Sequence, residues 1–154
     1  MAGSNGPDAY DDPDVEELWC AERRAEVAGY LERERVSHGR IGEWPAWHLA
    51  QYVSVWAVES DTKPGWVGWW VICGDLPNDR VSGESIKHPR DAMRAIAKVW
   101  LEQAEAMAQG QTRPDLRIGS PEDWPSLAPL LRSRASTLIH WADDDSLWAE
   151  EPEG

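Results

Sequence analysis

The sequence predicts a small α+β fold, in which an antiparallel β-hairpin or sheet packs with three main helices in the order α-β-β-α-α. Two extended apolar runs flank a turn at residues 60–65, which is typical of a hairpin. Apolar residues recur at helical spacing through residues 88–110, and two further helix-start signals place a proline beside acidic residues. The length, 154 residues, suits one domain with its own core.

The first helix is predicted to begin at Pro13, because proline suits the first helical position and the acidic residues after it suit the helix dipole. We expect this helix to end near Gly39, since glycine is the usual stop. Residues 1–12 are predicted to be a flexible acidic arm. Residues 13–148 then form the α+β domain, and residues 149–154 form an acidic tail.

The hairpin consists of predicted strands at residues 51–60 and 66–73, in which side chains alternate between two faces. Trp69 and Trp70 are adjacent, so they must point to opposite faces of their strand. Because this strand is apolar on both faces, we expect helices to cover both. Gly68 leaves room for a neighbouring side chain to approach the backbone.

The second and third helices also carry start signals. The second helix is predicted from Pro89 to Gly110, with an apolar stripe at positions i, i+3 and i+4. The third is predicted to begin at the capping residue Ser120, and we expect Pro125 and Pro129 to break or kink it early.

The charge balance excludes several classes of partner. Asp and Glu total 28 against 15 Lys and Arg, which gives a formal net charge of −13 at pH 7. This field repels nucleic acid and anionic membrane surfaces and favours basic partners. No apolar run is long enough to span a bilayer, and the first residues lack the pattern of a signal peptide. The sequence therefore predicts a cytoplasmic protein that binds neither nucleic acid nor membrane.

Tryptophan dominates the aromatic residues: the chain has 11 Trp and no Phe, and six of the Trp lie within residues 44–70. Without Phe, Trp must supply the large aromatic side chains of the core, so we expect most of this cluster to be buried. Trp44 and Trp47 lie on a connector that contains Pro and Gly, and we expect them to be partly exposed. They form a candidate aromatic clamp for a ligand or a peptide.

The segment 74–85 is predicted to be a polar loop after the second strand. Asp75 and Asp79 form a carboxylate pair on it that could hold a cation or act as acid and base. The alternative is an ordinary turn, because Asp, Asn, Pro and Gly are the residues that turns require. His88, at the start of the second helix, is a further candidate binding residue, with a helix-capping role as its alternative.

The sequence lacks the spacing of metal, nucleotide and nucleophile motifs. Its four histidines show no metal-ligand spacing. Cys20 and Cys73 are predicted to be buried free thiols rather than a disulfide. We therefore predict no catalytic residue, no metal and no cofactor.

Several linked motifs run through most of the chain. They are residues 44–47 (WPAW), 64–70 (PGWVGWW), 74–77 (GDLP), 88–90 (HPR) and 119–124 (GSPEDW). On these motifs, from about Val15 to Trp148, the chain resembles the small bacterial proteins that share domain of unknown function 4826. The resemblance implies a bacterial, soluble, single-domain protein, and it carries over no catalytic residues.

Three functions follow as hypotheses. The leading one is a non-catalytic binding module, immunity-like or inhibitor-like, which masks a basic macromolecular partner with its acidic surface and exposed indoles. The alternative is a small-molecule-binding protein or an enzyme with a Trp-lined pocket between the hairpin and the connector. That pocket would use Asp75, Asp79, His88, Trp44 and Trp47. The third hypothesis is a structural subunit of a homodimer.

Overall fold

The structure, a computed structural model, describes residues 12–111, 120 and 122–148. Its elements are α1 (Pro13–Arg33), β1 (Trp47–Leu49), β2 (Val53–Glu59), β3 (Val67–Gly74), β4 (Leu76–Ser82), α2 (Pro89–Ala108), α3 (Trp124–Asp143) and α4 (Asp145–Trp148). The α+β class is confirmed, and the described ranges contain two strands and one short helix beyond the predicted order. The predicted arm, apart from Asp12, and the predicted tail lie outside the described residues.

The chain divides into two compact units between Pro89 and Arg90. The first unit contains α1 and an antiparallel sheet with the strand order β1-β2-β3-β4. The predicted hairpin is confirmed as β2 and β3, which pair so that Trp56 lies opposite Val71. Strand β1 lies within the segment that was expected to be a connector and pairs with β2.

The prediction of a loop at residues 74–85 is wrong, because most of this segment forms strand β4. Leu76–Ser82 pairs with β3 at the edge of the sheet. Its sequence is polar and contains Pro77, a residue that edge strands tolerate because one of their sides has no strand to meet. The segment was predicted to be a loop because its residues are polar, although within the described residues it is an edge strand that pairs with β3 alone.

Helix α1 covers one face of the sheet. Its Val27, Tyr30 and Leu31 side chains are buried in one apolar cluster. The cluster also contains Ile41, Trp56, Val58, Val71 and Cys73, with Val36 and Trp69 packed against it. Trp70 is buried as well and, as its neighbour along β3, points to the opposite face from Trp69, as predicted.

Helix α1 ends earlier than Gly39, the predicted stop. Arg35 adopts a left-handed conformation with φ 57° just after the helix. The Val36 N–H donates to the Leu31 carbonyl over 3.0 Å, and the Arg35 N–H donates to the Glu32 carbonyl over 3.1 Å, which is the Schellman arrangement. The prediction was wrong because an arginine occupies the position that glycine usually fills.

Arg24 of α1 holds the connector that precedes β1. Its Nε donates to the Gly42 carbonyl over 2.7 Å, and its Nη2 donates to the Ile41 carbonyl over 2.8 Å. Both hydrogen bonds are partly buried, where an unpaired polar group would cost free energy. The guanidinium therefore fixes the connector against the helix.

Gly68 lies at a bulge in the β2–β3 ladder, where the register shifts after the Val58–Trp69 pair. The Ser60 backbone fills the space beside it, since a Cβ added at Gly68 would lie 2.7 Å from the Ser60 Cα. A main-chain segment, and not the side chain expected from the sequence, makes the close approach.

The second unit contains helices α2, α3 and α4. The predicted second helix is confirmed, and Gly110, with φ 68°, ends it by donating its N–H to the Met107 carbonyl over 3.1 Å. The buried apolar stripe of α2 contains Ala92, Met93, Ile96, Ala97, Trp100, Ala104 and Met107. None of the helices in the described ranges combines the length and the hydropathy that crossing a bilayer requires.

Helix α3 begins later than predicted and is not broken by its prolines. Asp123, and not Ser120, occupies the capping position before Trp124. Pro125 lies in the first turn, where its missing N–H has no intrahelical partner to lose. Pro129 lies inside the helix, which continues to Asp143 despite the lost backbone bond.

We expect Gly68→Ala to lower the free energy of unfolding by about 1–3 kcal/mol, because its Cβ would collide with the Ser60 main chain. Gly29→Ala is the matched control. It lies inside α1, where its Cβ would meet only Arg33 Nη1 at 3.5 Å, and alanine favours a helix by about 0.5–1 kcal/mol. Urea unfolding followed by Trp fluorescence measures both changes. Equal stability of Gly68→Ala and the wild type would contradict the assigned bulge.

Candidate functional site

Trp66 lies at the end of the turn between β2 and β3, and its relative exposure is 57%. Hydrogen bonds hold this turn: Ser60 Oγ accepts the N–H groups of Thr62 and Lys63, each over 3.1 Å. The Ser60 N–H donates to the Trp66 carbonyl over 2.8 Å, and the Trp66 N–H donates to the Lys63 carbonyl over 3.1 Å. The indole is therefore displayed from a well-bonded turn, and it borders two clefts.

The first of these, which we name the lysine cleft, has a volume of about 260 Å³. It is lined by Ser60, Thr62, Lys63, Trp66, Val67, Gly68, Ser82, Gly83, Glu84 and Lys87. Lys63 Nζ lies 5.5 Å and Lys87 Nζ 5.0 Å from the centroid of the Trp66 ring. The chain has three lysines, so two of them converge on one indole through cation–π contacts.

The second, the connector cleft, has a volume of about 330 Å³. It is lined by residues 40–43, Ala57, Glu59 and residues 65–67. Glu59 Oε2 accepts the Gly65 N–H over 2.7 Å, and Glu59 Oε1 lies 3.4 Å from the Arg40 N atom. These two backbone hydrogen bonds hold the pKa of Glu59 below its usual value, so the carboxylate is charged at neutral pH.

The connector cleft lies where the sequence predicts a Trp-lined pocket, between the hairpin and the connector. The indole that lines it is Trp66. Trp44 is 53% exposed and Trp47 is half-buried, so the expected partial exposure of both is confirmed. Trp44 lies on the connector just beyond the residues that line this cleft, and Trp47 is the first residue of β1.

Asp75 and Asp79 lie at the end of β3 that is remote from Trp66. The Asp75 N–H donates to the Tyr52 carbonyl over 2.9 Å in the tight turn before β4. Asp79 lies within β4, and its Oδ1 accepts the Arg80 N–H over 2.8 Å. Within residues 12–111, 120 and 122–148, no three His, Cys, Asp or Glu side chains group closely enough to hold a metal ion.

The five predicted site residues are thus spread over the first unit. His88 is exposed and follows Lys87, a residue of the lysine cleft. Sequence reasoning missed Lys63, Trp66 and Lys87 as members of one site. A signal was present, because the chain uses arginine for most of its positive charges and places one of its rare lysines in the turn before Trp66.

Two further polar clusters serve the packing of α1. His48 Nε2 lies 2.6 Å from Glu16 Oε2, and the His48 ring stacks on Trp19 with centroids 6.2 Å apart, which ties β1 to α1. Arg80 Nη1 donates to the Tyr30 hydroxyl over 2.9 Å. Burial, with a smaller contribution from the Asp79 carboxylate, raises the pKa of Tyr30 above its ordinary value.

The two thiols are buried and free, as predicted. Burial raises the pKa of Cys73 from about 9 to about 12 and, with the help of the Glu16 carboxylate, raises that of Cys20 to about 11. Because the thiolate is the nucleophilic form, neither cysteine is reactive at neutral pH.

The family model described as Domain of unknown function (DUF4826) matches residues 14–148 of the chain. No curated protein and no solved structure matches the chain. The matched range includes α1 apart from its first residue, the sheet and the residues that line both clefts.

The raised thiol pKa values predict a loss of stability in alkali. The folded thiols keep protons that the unfolded chain releases above about pH 9, so the free energy of unfolding falls as the pH rises from about 9 towards 12. One thiol contributes at most about 1.4 kcal/mol per pH unit. Urea unfolding at several pH values measures this slope.

Cys73→Ala tests the source of the slope. The variant should show a shallower loss of stability above about pH 9, while Cys20 and Tyr30 keep a residual slope of the same sign. An unchanged slope in Cys73→Ala would show that this thiol is not the titrating group.

Proposed function

The chain belongs to the DUF4826 family, and we propose that it is a non-catalytic binding module whose acidic surface engages a basic macromolecular partner. The observation that carries this proposal is the distribution of charge. None of the Asp and Glu side chains in the described ranges is buried, and the chain carries a formal net charge of −13. Such a surface attracts a cationic partner over distance and orients it before contact.

Many arginines, in contrast, are occupied by structural hydrogen bonds. Arg24 binds two connector carbonyls, and Arg80 binds the Tyr30 hydroxyl. In the second unit, Arg90 Nε donates to the Ala142 carbonyl over 2.6 Å at the end of α3. These contacts direct part of the positive charge into the packing of the protein, while the acidic side chains of the described residues keep at least part of their surface exposed.

The exposed side of α1 offers a defined place for such a partner, which we name the acidic helix surface. It consists of Asp14, Glu17, Leu18 and Glu22, all exposed. Leu18 has a relative exposure of 60%, and it supplies an apolar anchor among carboxylates. Trp44, two residues beyond the point at which Arg24 holds the connector, supplies a second exposed anchor in the same unit.

The proposal includes an immunity-like or inhibitor-like role in the bacterial cytoplasm, in which the module masks a basic protein. The protonated, buried thiols support a non-catalytic role because they are not available as nucleophiles. Two unpaired cysteines also suit a reducing compartment.

The connector cleft supports a second candidate function, the binding of a small molecule. Its volume of about 330 Å³ lies within the range of small-molecule sites, and Trp66 and Ala57 supply apolar lining. This second proposal places the pocket between the hairpin and the connector, as the sequence predicts, but its aromatic lining residue is Trp66 and not Trp44 or Trp47.

Charge removal on α1 tests the proposed function. With an oligo-arginine peptide as probe, Glu17→Gln combined with Glu22→Gln should weaken binding roughly fivefold, since two exposed charges are worth on the order of 1 kcal/mol at low salt. Glu102→Gln combined with Glu105→Gln on α2 removes the same charge from another exposed surface and should weaken binding less than about twofold. Calorimetric titration measures both.

Leu18→Ser separates specific contact from simple charge attraction. It should leave the melting temperature nearly unchanged, because the side chain is exposed, and should release a basic protein that the wild type retains from a bacterial lysate. Equal weakening by the α1 and α2 charge pairs, or retention of the same proteins by Leu18→Ser, would count against the acidic helix surface.

A further inference from the structure

We propose that the lysine cleft binds a phosphate dianion, either free or as the phosphoryl group of a small monoester, between the ammonium groups of Lys63 and Lys87. This site is separate from the acidic helix surface, because it lies at the β2–β3 turn and the end of β4 and attracts the opposite charge. Loss of either function would therefore leave the other intact.

Trp66 holds the two cations together. Lys63 Nζ and Lys87 Nζ lie 5.5 Å and 5.0 Å from the same ring centroid, so the two ammonium nitrogens are no more than about 10.5 Å apart. Like charges at such a separation repel one another. The negative face of the indole offsets part of this repulsion. An anion placed between the ammonium groups would offset the remainder, and a dianion would match both charges.

Nearby carboxylates are engaged elsewhere. Asp61 accepts a hydrogen bond from the Ser37 hydroxyl, and Glu59 accepts backbone N–H groups on the side of the connector cleft. Within the described residues, no carboxylate lies within 4.0 Å of either lysine ammonium. Glu84 is the acidic residue that lines the cleft, and it should weaken an anion's binding.

Hydroxyl groups complete the donor set. Ser82 Oγ accepts the Glu84 N–H over 3.1 Å, which leaves the hydroxyl proton of Ser82 as a donor. Lys87 Nζ donates to the Glu84 carbonyl over 3.2 Å, and an ammonium group has three protons to give. Thr62 adds a second hydroxyl to the lining.

The cleft has room for a small anion. Its volume of about 260 Å³ is below the range of about 300–1,000 Å³ that encloses drug-sized ligands. The two ammonium groups lie within 5.5 Å of the indole centroid, where they compete with a planar aromatic ligand for the ring. A tetrahedral oxyanion needs no ring face, so it can pair with the ammonium groups while they keep their contacts with the indole. Any ester group would be directed to solvent.

The Trp66 indole N–H gives a local readout by two-dimensional ¹H–¹⁵N NMR. Its cross-peak is identified by its loss in Trp66→Leu, which removes an exposed side chain. Inorganic phosphate, added at constant ionic strength with chloride as the balancing anion, should shift this cross-peak in a saturable manner. Acetate, a monoanion, should bind at least about tenfold more weakly.

Lysine variants locate the anion. Lys63→Gln and Lys87→Gln should each weaken phosphate binding roughly fivefold or more, and the double variant should abolish the saturable shift. Lys98→Gln is the matched control, since it removes the third lysine, an exposed residue of α2, and should leave the affinity unchanged. Glu84→Gln should tighten binding by removing the lining carboxylate.

O-phosphoserine distinguishes the two sources of the dianion. Tighter binding of O-phosphoserine than of inorganic phosphate assigns the cleft to monoesters, and the reverse order assigns it to the free anion. O-phosphoserine binding should strengthen from about pH 5 to about pH 7.5, because the second pKa of a phosphate monoester is about 6. A non-saturable shift in the wild type, or an unchanged saturable shift in the double lysine variant, would overturn the proposal.

Discussion

The pairing of β2 with β3 is the constraint on which the first unit depends. Its alternation places Trp56 and Val71 beneath α1, where they form the apolar cluster. The same ladder contains the bulge at Gly68, one pair before the turn that displays Trp66 to solvent. The register of β2 and β3 therefore determines both the buried cluster and the position of the clefts. A shift of one residue in this pairing would move the buried side chains to the opposite face of the sheet.

Arginine and lysine have different tasks in this chain. The planar guanidinium groups of Arg24 and Arg80 each make more than one directed contact and hold α1 to the connector and to the sheet. The compact ammonium groups of Lys63 and Lys87 make cation–π contacts with an exposed ring and keep protons for other acceptors. In the first unit, Arg24 and Arg80 therefore serve the packing, while Lys63 and Lys87 lie on the surface.

An acidic protein can still present a local site for an anion. Charges separated by more than about 8–10 Å are largely screened at physiological ionic strength, so distant carboxylates contribute little inside the lysine cleft. Two ammonium groups beside one indole make the potential there more positive, against the single lining carboxylate of Glu84. At longer range and low salt the net charge of −13 prevails, which favours a basic partner on the acidic helix surface.

The sequence by itself determined the α+β class, the β2–β3 hairpin, the second helix and the free thiols, because alternation, helical periodicity and cysteine number are local signals. The sequence did not predict β4, because an edge strand with polar side chains has the composition of a loop. It also did not predict the end of α1, because Arg35 adopts the left-handed conformation that usually requires glycine. Only the tertiary structure decided that Lys87 meets Lys63 at Trp66. Lys87 reaches this position because β4 runs antiparallel to β3 and because the Gly83 N–H donates to the Gly68 carbonyl. Both contacts join residues that are distant in the sequence, so no local pattern predicts them.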